Sequence, residues 1–552
     1  MTRLRKRSSE LSRRSLITGL ISLPMGGLVA NRLGFAEASP AVIGAASPVT
    51  CTRTRVVLDG SAAAQDWLSK NVGPKFAAVR PRPGREISAS PLSVGMETLD
   101  RRIFEPDRAY QALAELGVKW VRLQTGWART ETRPGDYDFA WLDEVVDAVS
   151  ACGVRPWFNL GFGNRLYTPE AADDSAVGWV PIFRDEAMTA WLKFVGVCAR
   201  HFRDRVRHWE LWNEPNIANF WKPNPPSAEL YVRFVAQTAS AIRREIPDAV
   251  LIGGALAGMP TDYLTSALQH GLLEHVDKLS YHPYRPIPEK GYAQTLETWR
   301  RLLREHAGER LVPGLWQGEN GCPSKRGGTG ALSDYDWTET RQAKWLLRRI
   351  LLDLVLQVEL TSYFHLVDLL HYNWGSGPTD RGNFKGLLRG DDYSPKPAYA
   401  AYQRLCALFD AETVRAAGAD SAAAIDVMPA SLPLDPKTSS SPAGLSDGPG
   451  LAEAPEVDGD VIGPAAFLRG GAPLWVYWKA SSMMIDAVPK IVDLLIQDSP
   501  SLPLRRPVLI DPLSGGVHQL LHARREPGGW RLARLPLADY PLIVADSLVL
   551  NS

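Results

Sequence analysis

From about residue 91 the chain alternates between two textures. Short runs rich in β-branched and aromatic residues give way to amphipathic stretches with helical spacing. The runs predict strands at Leu92–Glu97, Trp120–Gln124, Arg155–Asn159, His208–Trp212, Val250–Gly254, Lys278–His282, Val312–Gln317 and Leu360–His365. Helices are predicted at Asp107–Leu116, Phe139–Cys152, Glu186–Phe202, Ser227–Glu245, Thr261–His270, Ala293–His306, Glu339–Leu356 and Pro397–Leu408. Gly117 and Gly153 follow the first two helices as C-caps. Eight strands, each followed by a helix, predict an α/β fold, a (β/α)8 TIM barrel of about 320 residues over 91–410. A doubly wound open sheet is the rival, but it would carry a glycine-rich phosphate loop after its first strand. Here that strand runs into Gly95-Met96-Glu97-Thr98, which cradles no phosphate.

The texture changes after Asp410. Residues 411–464 are rich in Ala, Ser, Pro and Gly and read as a flexible segment joining, or inserted in, the next domain. Residues 465–552 hold short β-like runs at Leu474–Trp478, Pro507–Ile510, Val517–Leu521 and Leu542–Val544, with one helical stretch at Ile485–Leu495. That pattern predicts a small C-terminal β-sandwich. Residues 39–90 form an N-terminal extension that either adds strands to the sandwich or wraps the barrel.

The N-terminus reads as a leader. Arg3, Arg5, Lys6 and Arg7 precede Arg13-Arg14, a weakly apolar run from Leu16 to Val29, and the small-x-small site Ala36-Glu37-Ala38. Residues 1–38 thus resemble a twin-arginine export signal, with the export machinery as partner and a periplasmic or secreted destination. The apolar run is shorter than the roughly 17–25 residues of a membrane span, and no stable span is expected in the mature chain.

Composition narrows the function classes. Lys plus Arg number 62 and Asp plus Glu 61, so no basic field favours nucleic acid. The leader holds seven basic against two acidic residues, which leaves the remainder mildly acidic at about −4. The five cysteines, Cys51, Cys152, Cys198, Cys322 and Cys406, contain no CxxC pair. No His, Asp and Glu cluster has metal-ligand spacing, so neither metal nor cofactor is expected.

Chemistry in such a barrel sits at the C-terminal ends of the strands. The fourth strand runs straight into Asn213-Glu214-Pro215-Asn216, and the seventh into Gly318-Glu319-Asn320-Gly321. Closure of the barrel brings Glu214 and Glu319 to one cavity. Acetal hydrolysis needs such a pair, one carboxyl protonated to assist the leaving group and one ionised. The bland alternatives are a dipole-favoured acid at a helix start and a loop acid.

The run Trp212-Asn213-Glu214-Pro215-Asn216 resembles the strand-four motif of the clan A glycoside hydrolases. Within that clan the chain is most similar to glycoside hydrolase family 39, whose relatives include β-xylosidases, α-L-iduronidases and exopolysaccharide-cleaving enzymes. The resemblance covers roughly 91–410. It implies Glu214 as general acid/base, Glu319 as nucleophile, Asn213 on the sugar 2-hydroxyl, and Arg122 beneath the nucleophile. Tyr281-His282-Pro283-Tyr284 also fits, with His282 or Tyr284 bonding the nucleophile or the sugar. Where many clan relatives carry a tryptophan after strand eight, this chain has Phe364-His365-Leu366-Val367-Asp368.

Among the 18 tryptophans, Trp127 and Trp316 are taken as substrate-binding candidates. Asn164, Arg165, Trp179, Trp221 and Trp374 lie on expected mouth loops, each as apt to pack a loop as to meet sugar. The resulting expectation is an exported retaining glycoside hydrolase that cleaves an oligo- or polysaccharide through a covalent glycosyl-enzyme, its carboxyls about 5–5.5 Å apart. The alternatives are a non-hydrolytic carbohydrate-binding or polysaccharide-assembly protein on the same barrel, and a transglycosylase.

Overall fold

A computed structural model describes residues 56–372, 381–418, 423–427 and 459–550. The leader, Cys51 and Trp374 lie outside the described residues. The described chain opens with helix α1 (Ala62–Asn71), whose N-cap Ser61 accepts a hydrogen bond from the Ala64 amide, and strand β1 (Lys75–Ala78). The barrel follows, closed by eight parallel strands: β2 (Leu92–Gly95), β3 (Trp120–Gln124), β4 (Arg155–Leu160), β5 (His208–Leu211), β6 (Val250–Ala257), β7 (Lys278–His282), β8 (Gly314–Gln317) and β9 (Leu360–Tyr363). Pairing of β2 with β9, Leu92 opposite Thr361, closes the ring.

The helices around it are α2 (Tyr110–Leu116), the short α3 (Trp127–Thr130), α4 (Ala140–Ala151), α5 (Asp185–Phe202), α6 (Ala228–Glu245), α7 (Thr261–Gln269), α8 (Tyr292–Ala307), α9 (Glu339–Val355) and α10 (Pro397–Leu408). Gly117 ends α2 in the left-handed region (φ 89°), where its missing Cβ leaves room for the Arg82 carbonyl.

The remaining strands are β10 (Thr413–Arg415), β11 (Ala423–Val427), β12 (Val461–Arg469), β13 (Ala472–Lys479), β14 (Lys490–Gln497), β15 (Pro507–Ile510), β16 (Gly516–Gln519), β17 (Ala523–Glu526), β18 (Gly529–Leu537) and β19 (Leu542–Asp546). Seven strands form one antiparallel sheet in the order β1-β16-β15-β19-β13-β12-β10, and four form a second, β11-β14-β18-β17. The two sheets therefore draw strands from before the barrel and from the segment expected as a flexible join, so the β-region begins well ahead of residue 465. The helix expected at Ile485–Leu495 is instead strand β14, paired on both sides.

Two interiors result. The N-terminal end of the barrel is filled by Trp157, Ile252, Trp316 and Leu360, with Trp120 against them. Helix α9 is buried almost all round and carries charges into the contact with the β-region. Lys344 donates to both carboxylate oxygens of Asp539 at 2.9 and 3.0 Å. Arg348 forks onto Glu289 at 2.8 and 2.5 Å, and Trp478 Nε1 donates to the same carboxylate at 2.7 Å. No helix among the described residues is long and apolar enough to cross a membrane.

Candidate active site

A cleft of about 250 Å³ opens at the C-terminal mouth of the barrel. Glu97, Asn213, Glu214, His282, Tyr284 and Glu319 all line it, arriving from the ends of β2, β5, β7 and β8 or the turns beyond them. The backbone at the fourth strand is unusual. Trp212 (φ 77°) and Glu214 (φ 46°) both lie in the left-handed region, where non-glycine residues are disfavoured. The Glu214 amide donates to the Ala255 carbonyl at 2.8 Å, and Asn159 Nδ2 donates to the Trp212 carbonyl at 2.8 Å. These bonds hold the turn so that Glu214 faces the cleft.

One guanidinium organises the floor. Arg122, fully buried, donates from Nη1 to Glu319 Oε2 at 2.6 Å and to Glu97 Oε1 at 3.1 Å. Its Nε and Nη2 both reach Glu210 Oε2, at 2.8 and 2.5 Å, and Nη2 also reaches Asn213 Oδ1 at 2.8 Å. Tyr284 donates its hydroxyl to Glu319 Oε1 at 2.8 Å. His282 Nδ1 lies 2.9 Å from Glu214 Oε1 and 3.8 Å from Glu319 Oε2. One ring nitrogen of His282 and one carboxyl oxygen each of Glu214 and Glu319 lie within 4.8 Å of one another.

The two carboxyls feel opposite environments. Burial raises the pKa of Glu214 above the ordinary carboxylate value, a push that His282 only partly offsets and that the charge of Glu319 adds to. Burial acts on Glu319 too, but His282, Arg122 and the Tyr284 hydroxyl outweigh it and hold its pKa below the ordinary value. His282 is pulled down by burial and pushed up more strongly by Glu319 and Glu214, so its net shift is upward. One carboxyl is thus poised to keep its proton and the other to lose it. That is the division of labour two-carboxyl chemistry requires.

The tryptophan candidates do not belong to the cleft. Trp127 is buried in the helical layer, where its indole donates to Glu131 at 2.5 Å and stacks on Tyr167 at 5.4 Å. Trp316 packs edge-on against Trp157, 5.4 Å between ring centres, at the opposite end of the barrel. Trp221 is fully buried, and neither it nor half-buried Trp179 lines the cleft. Asn164 donates to the Glu131 carbonyl and Arg165 pairs with Asp174, both away from the cleft. The aromatic wall is built of Phe162, Phe220, Tyr284, Phe364 and Tyr372 instead. A large apolar ring satisfies a core as readily as a sugar face, so residue type alone did not separate the two.

Sequence reasoning passed over Glu97, Glu210 and Lys385. Glu210 carried a signal: a charged residue in the middle of a buried parallel strand demands a buried partner, and Arg122 sits likewise in β3. Lys385 is buried against the cleft beyond β9, its pKa pushed down to about 8 by burial. It carries no strand-end pattern that would mark it.

Residues 112–306 match the sequence profile of glycosyl hydrolases family 39. Over 159 residues the chain is 29% identical to a beta-xylosidase of Geobacillus stearothermophilus, a stretch covering 27% of this chain and 31% of that one. Over 156 residues it is 26% identical to beta-glucosidase 1B of Phanerodontia chrysosporium, covering 27% of each. The chain therefore spans under a third of the length of these curated relatives. Among solved structures, a family 39 glycoside hydrolase from the gut symbiont Bacteroides cellulosilyticus WH2 shares the fold, with TM-score 0.58, 17% identity, 86% of this chain and 84% of that one covered. A monomeric beta-xylosidase from Caulobacter crescentus CB15 shares it with TM-score 0.50, 17% identity, and 85% and 97% covered.

Proposed function

We propose that this chain, whose residues 112–306 match the family 39 glycosyl hydrolases, is a retaining glycosidase that works by double displacement. The observation that carries the reading is the pair Glu214 and Glu319, whose facing atoms lie within 4.8 Å and whose environments push their proton affinities apart. That spacing is short for an inverting enzyme, which needs room for a water between carboxyls roughly 6.5–9.5 Å apart.

Glu319 Oε attacks the anomeric carbon as the glycosidic C–O bond breaks, and Glu214 gives its proton to the departing oxygen. The product of this step is a glycosyl ester on Glu319. Glu214, now a carboxylate, takes a proton from the water that attacks the same carbon, and Glu319 leaves as a carboxylate. Arg122 and Tyr284 hold Glu319 on both oxygens, so the nucleophile meets the sugar in a fixed orientation and ionised. Asn213, held by Arg122, faces the cleft where the 2-hydroxyl of the bound sugar would lie.

The relatives named for β-xylosides and β-glucosides favour a β-linked oligo- or polysaccharide as substrate. The Arg13-Arg14 leader favours export to the periplasm or beyond. The test is mechanism-based labelling with a 2-deoxy-2-fluoro xylosyl or glucosyl probe bearing a dinitrophenyl leaving group, read by peptide mass spectrometry. The label is expected on Glu319, absent in Glu319→Gln and still acquired by Glu214→Gln. A label on a different carboxylate, or an inverted anomer as first product by NMR, overturns the reading.

A further inference from the structure

The floor of the cleft holds more acid than its cation can balance. Arg122 is a single positive charge, and three carboxyls converge on it: Glu210, Glu319 and Glu97. They are not equally served. One oxygen of Glu210 takes both Nε and Nη2 of Arg122 and the Asn159 amide. Glu319 takes Arg122 on one oxygen and Tyr284 on the other. Glu97 has one contact, the 3.1 Å bond from the Nη1 that it shares with Glu319, while its Oε2 has no hydrogen-bond partner and the residue is 2% exposed.

Among the described residues the cation that hydrogen-bonds the Glu97 carboxyl is Arg122, while Arg101, His282 and Lys385 line the same cleft. Arg122 faces this carboxyl from β3, Tyr284 from beyond β7, Glu319 from beyond β8, and His365 and Tyr372 from beyond β9. His365 stands 3.8 Å from Glu97 Oε2. Its Nδ1 lies 2.9 Å from the Val367 carbonyl oxygen and 3.1 Å from the Val367 amide, and its Nε2 lies 3.1 Å from the Glu97 carbonyl oxygen. Burial holds the pKa of this ring down to about 4, so it is neutral beside Glu97 at neutral pH. The side chain of Glu97 folds back into the barrel over Gly95, where a Cβ would stand 2.1 Å from Oε2. The glycine makes the space that draws this carboxyl inside.

We propose that Glu97 is a positioning residue held as a neutral carboxylic acid, which leaves Arg122 to the nucleophile Glu319, and that loss of its proton sets an alkaline limit on the nucleophile. At a buried position an ionised carboxylate with one bare oxygen is more strongly disfavoured than the neutral acid. Burial first, and then the charge of Glu319, push the Glu97 pKa up to about 7 against the pull of Arg122. Once ionised, Glu97 draws on the shared Nη1 and sets a like charge beside Glu319. The effect reaches the substrate through Arg122 and Glu319, not by contact.

Two measurements on the full-length protein test this, and only the second rests on the glycosidase reading. Infrared spectra of the wild type are expected to show two buried carboxylic acids at about pH 6, one removed by Glu214→Gln and one by Glu97→Gln, the latter titrating near pH 7. A wild type whose only neutral acid disappears in Glu214→Gln overturns the proposal, whatever the enzyme's activity. The second measurement is inactivation by the dinitrophenyl fluorosugar, whose leaving group needs no proton. Its rate is expected to fall in the wild type as pH rises through about 7, and to stay within about twofold of its neutral value up to about pH 8.5 in Glu97→Gln. A Glu97→Gln rate depressed about tenfold or more at every pH, with the alkaline limb unmoved, shows an ionised structural partner and overturns the proposal. If Glu97→Gln does not fold, titration of the wild-type infrared band decides alone.

Discussion

His365 sits at the barrel mouth as a ring that folding keeps neutral. Burial pushes its pKa from 6.5 to about 4, partly opposed by the carbonyls of Val367 and Glu97. The unfolded chain protonates this ring below about 6.5 while the folded chain does not. The unfolded state therefore gains protons first, and stability falls as pH drops from about 6.5 to 4, with a slope of up to about 1.4 kcal/mol per unit from this group. Urea titrations across that window are expected to show the decline, reduced in slope by about one proton in His365→Asn. Equal slopes in the two proteins would count against a neutral His365. The residue shows what a sequence discloses and what it hides. Glu214 and Glu319 were legible because each ends a strand among recognisable neighbours. Glu97 was not, because its importance depends on Arg122 and Gly95, which meet it only after the barrel closes. The tryptophans misled for the converse reason: a ring wide enough for a sugar also fills a core.

At the level of single elements, the barrel strands were the clearest signal. Trp120–Gln124 and Lys278–His282 have the bounds their apolar runs suggested, since parallel strands buried on both faces read as continuous hydrophobic segments. Strand β14 defied that reading. Its run Lys490–Gln497 holds Ile and Leu at spacings compatible with either period, and only the pairing partners β11 and β18 decide for the extended form. The loop after β8 shows how finely an element aims chemistry. Gly321 passes so close to the Phe364 carbonyl that an added Cβ would stand 2.0 Å from its oxygen. The Phe364 amide in turn donates to the Asn320 carbonyl at 2.8 Å. Gly321→Ala is expected to push Glu319 off its Arg122 and Tyr284 contacts. Since a misplacement of about 1 Å can cost on the order of 100-fold, kcat should fall by about 10–100-fold. Stability should fall by only about 1–3 kcal/mol. Steady-state kinetics on an aryl glycoside beside a thermal melt checks this, and an unchanged kcat would show that the loop has slack.

Across the whole molecule, the barrel and the β-region are joined by buried charge. Lys344 and Asp539 are each about 4% exposed at the side chain, and Arg348 binds Glu289 with Trp478 completing the carboxylate. Removing one partner strands the other, so Asp539→Ala is expected to cost about 3–5 kcal/mol, while Lys344→Met with Asp539→Leu recovers most of it. Calorimetry decides: an Asp539→Ala protein that melts like the wild type would mean that the contact is dispensable. This seam was invisible in the sequence because Lys344 and Arg348 look like the polar side of an ordinary surface helix until the second body covers them.

The pairing of β1 with β16 has a consequence in time. Gln65 in α1 donates to Asp511, 446 residues further on, and Lys75 lies opposite His518. At a synthesis rate of about 5–20 residues per second, the amino-terminal segment waits roughly 20–90 s for the strand that will hold it. Through that interval the barrel can assemble from neighbouring β/α units while α1 and β1 remain unclamped. These two elements precede the barrel in the chain yet are fastened after it, and they stay open to capture by other proteins until translation is nearly done.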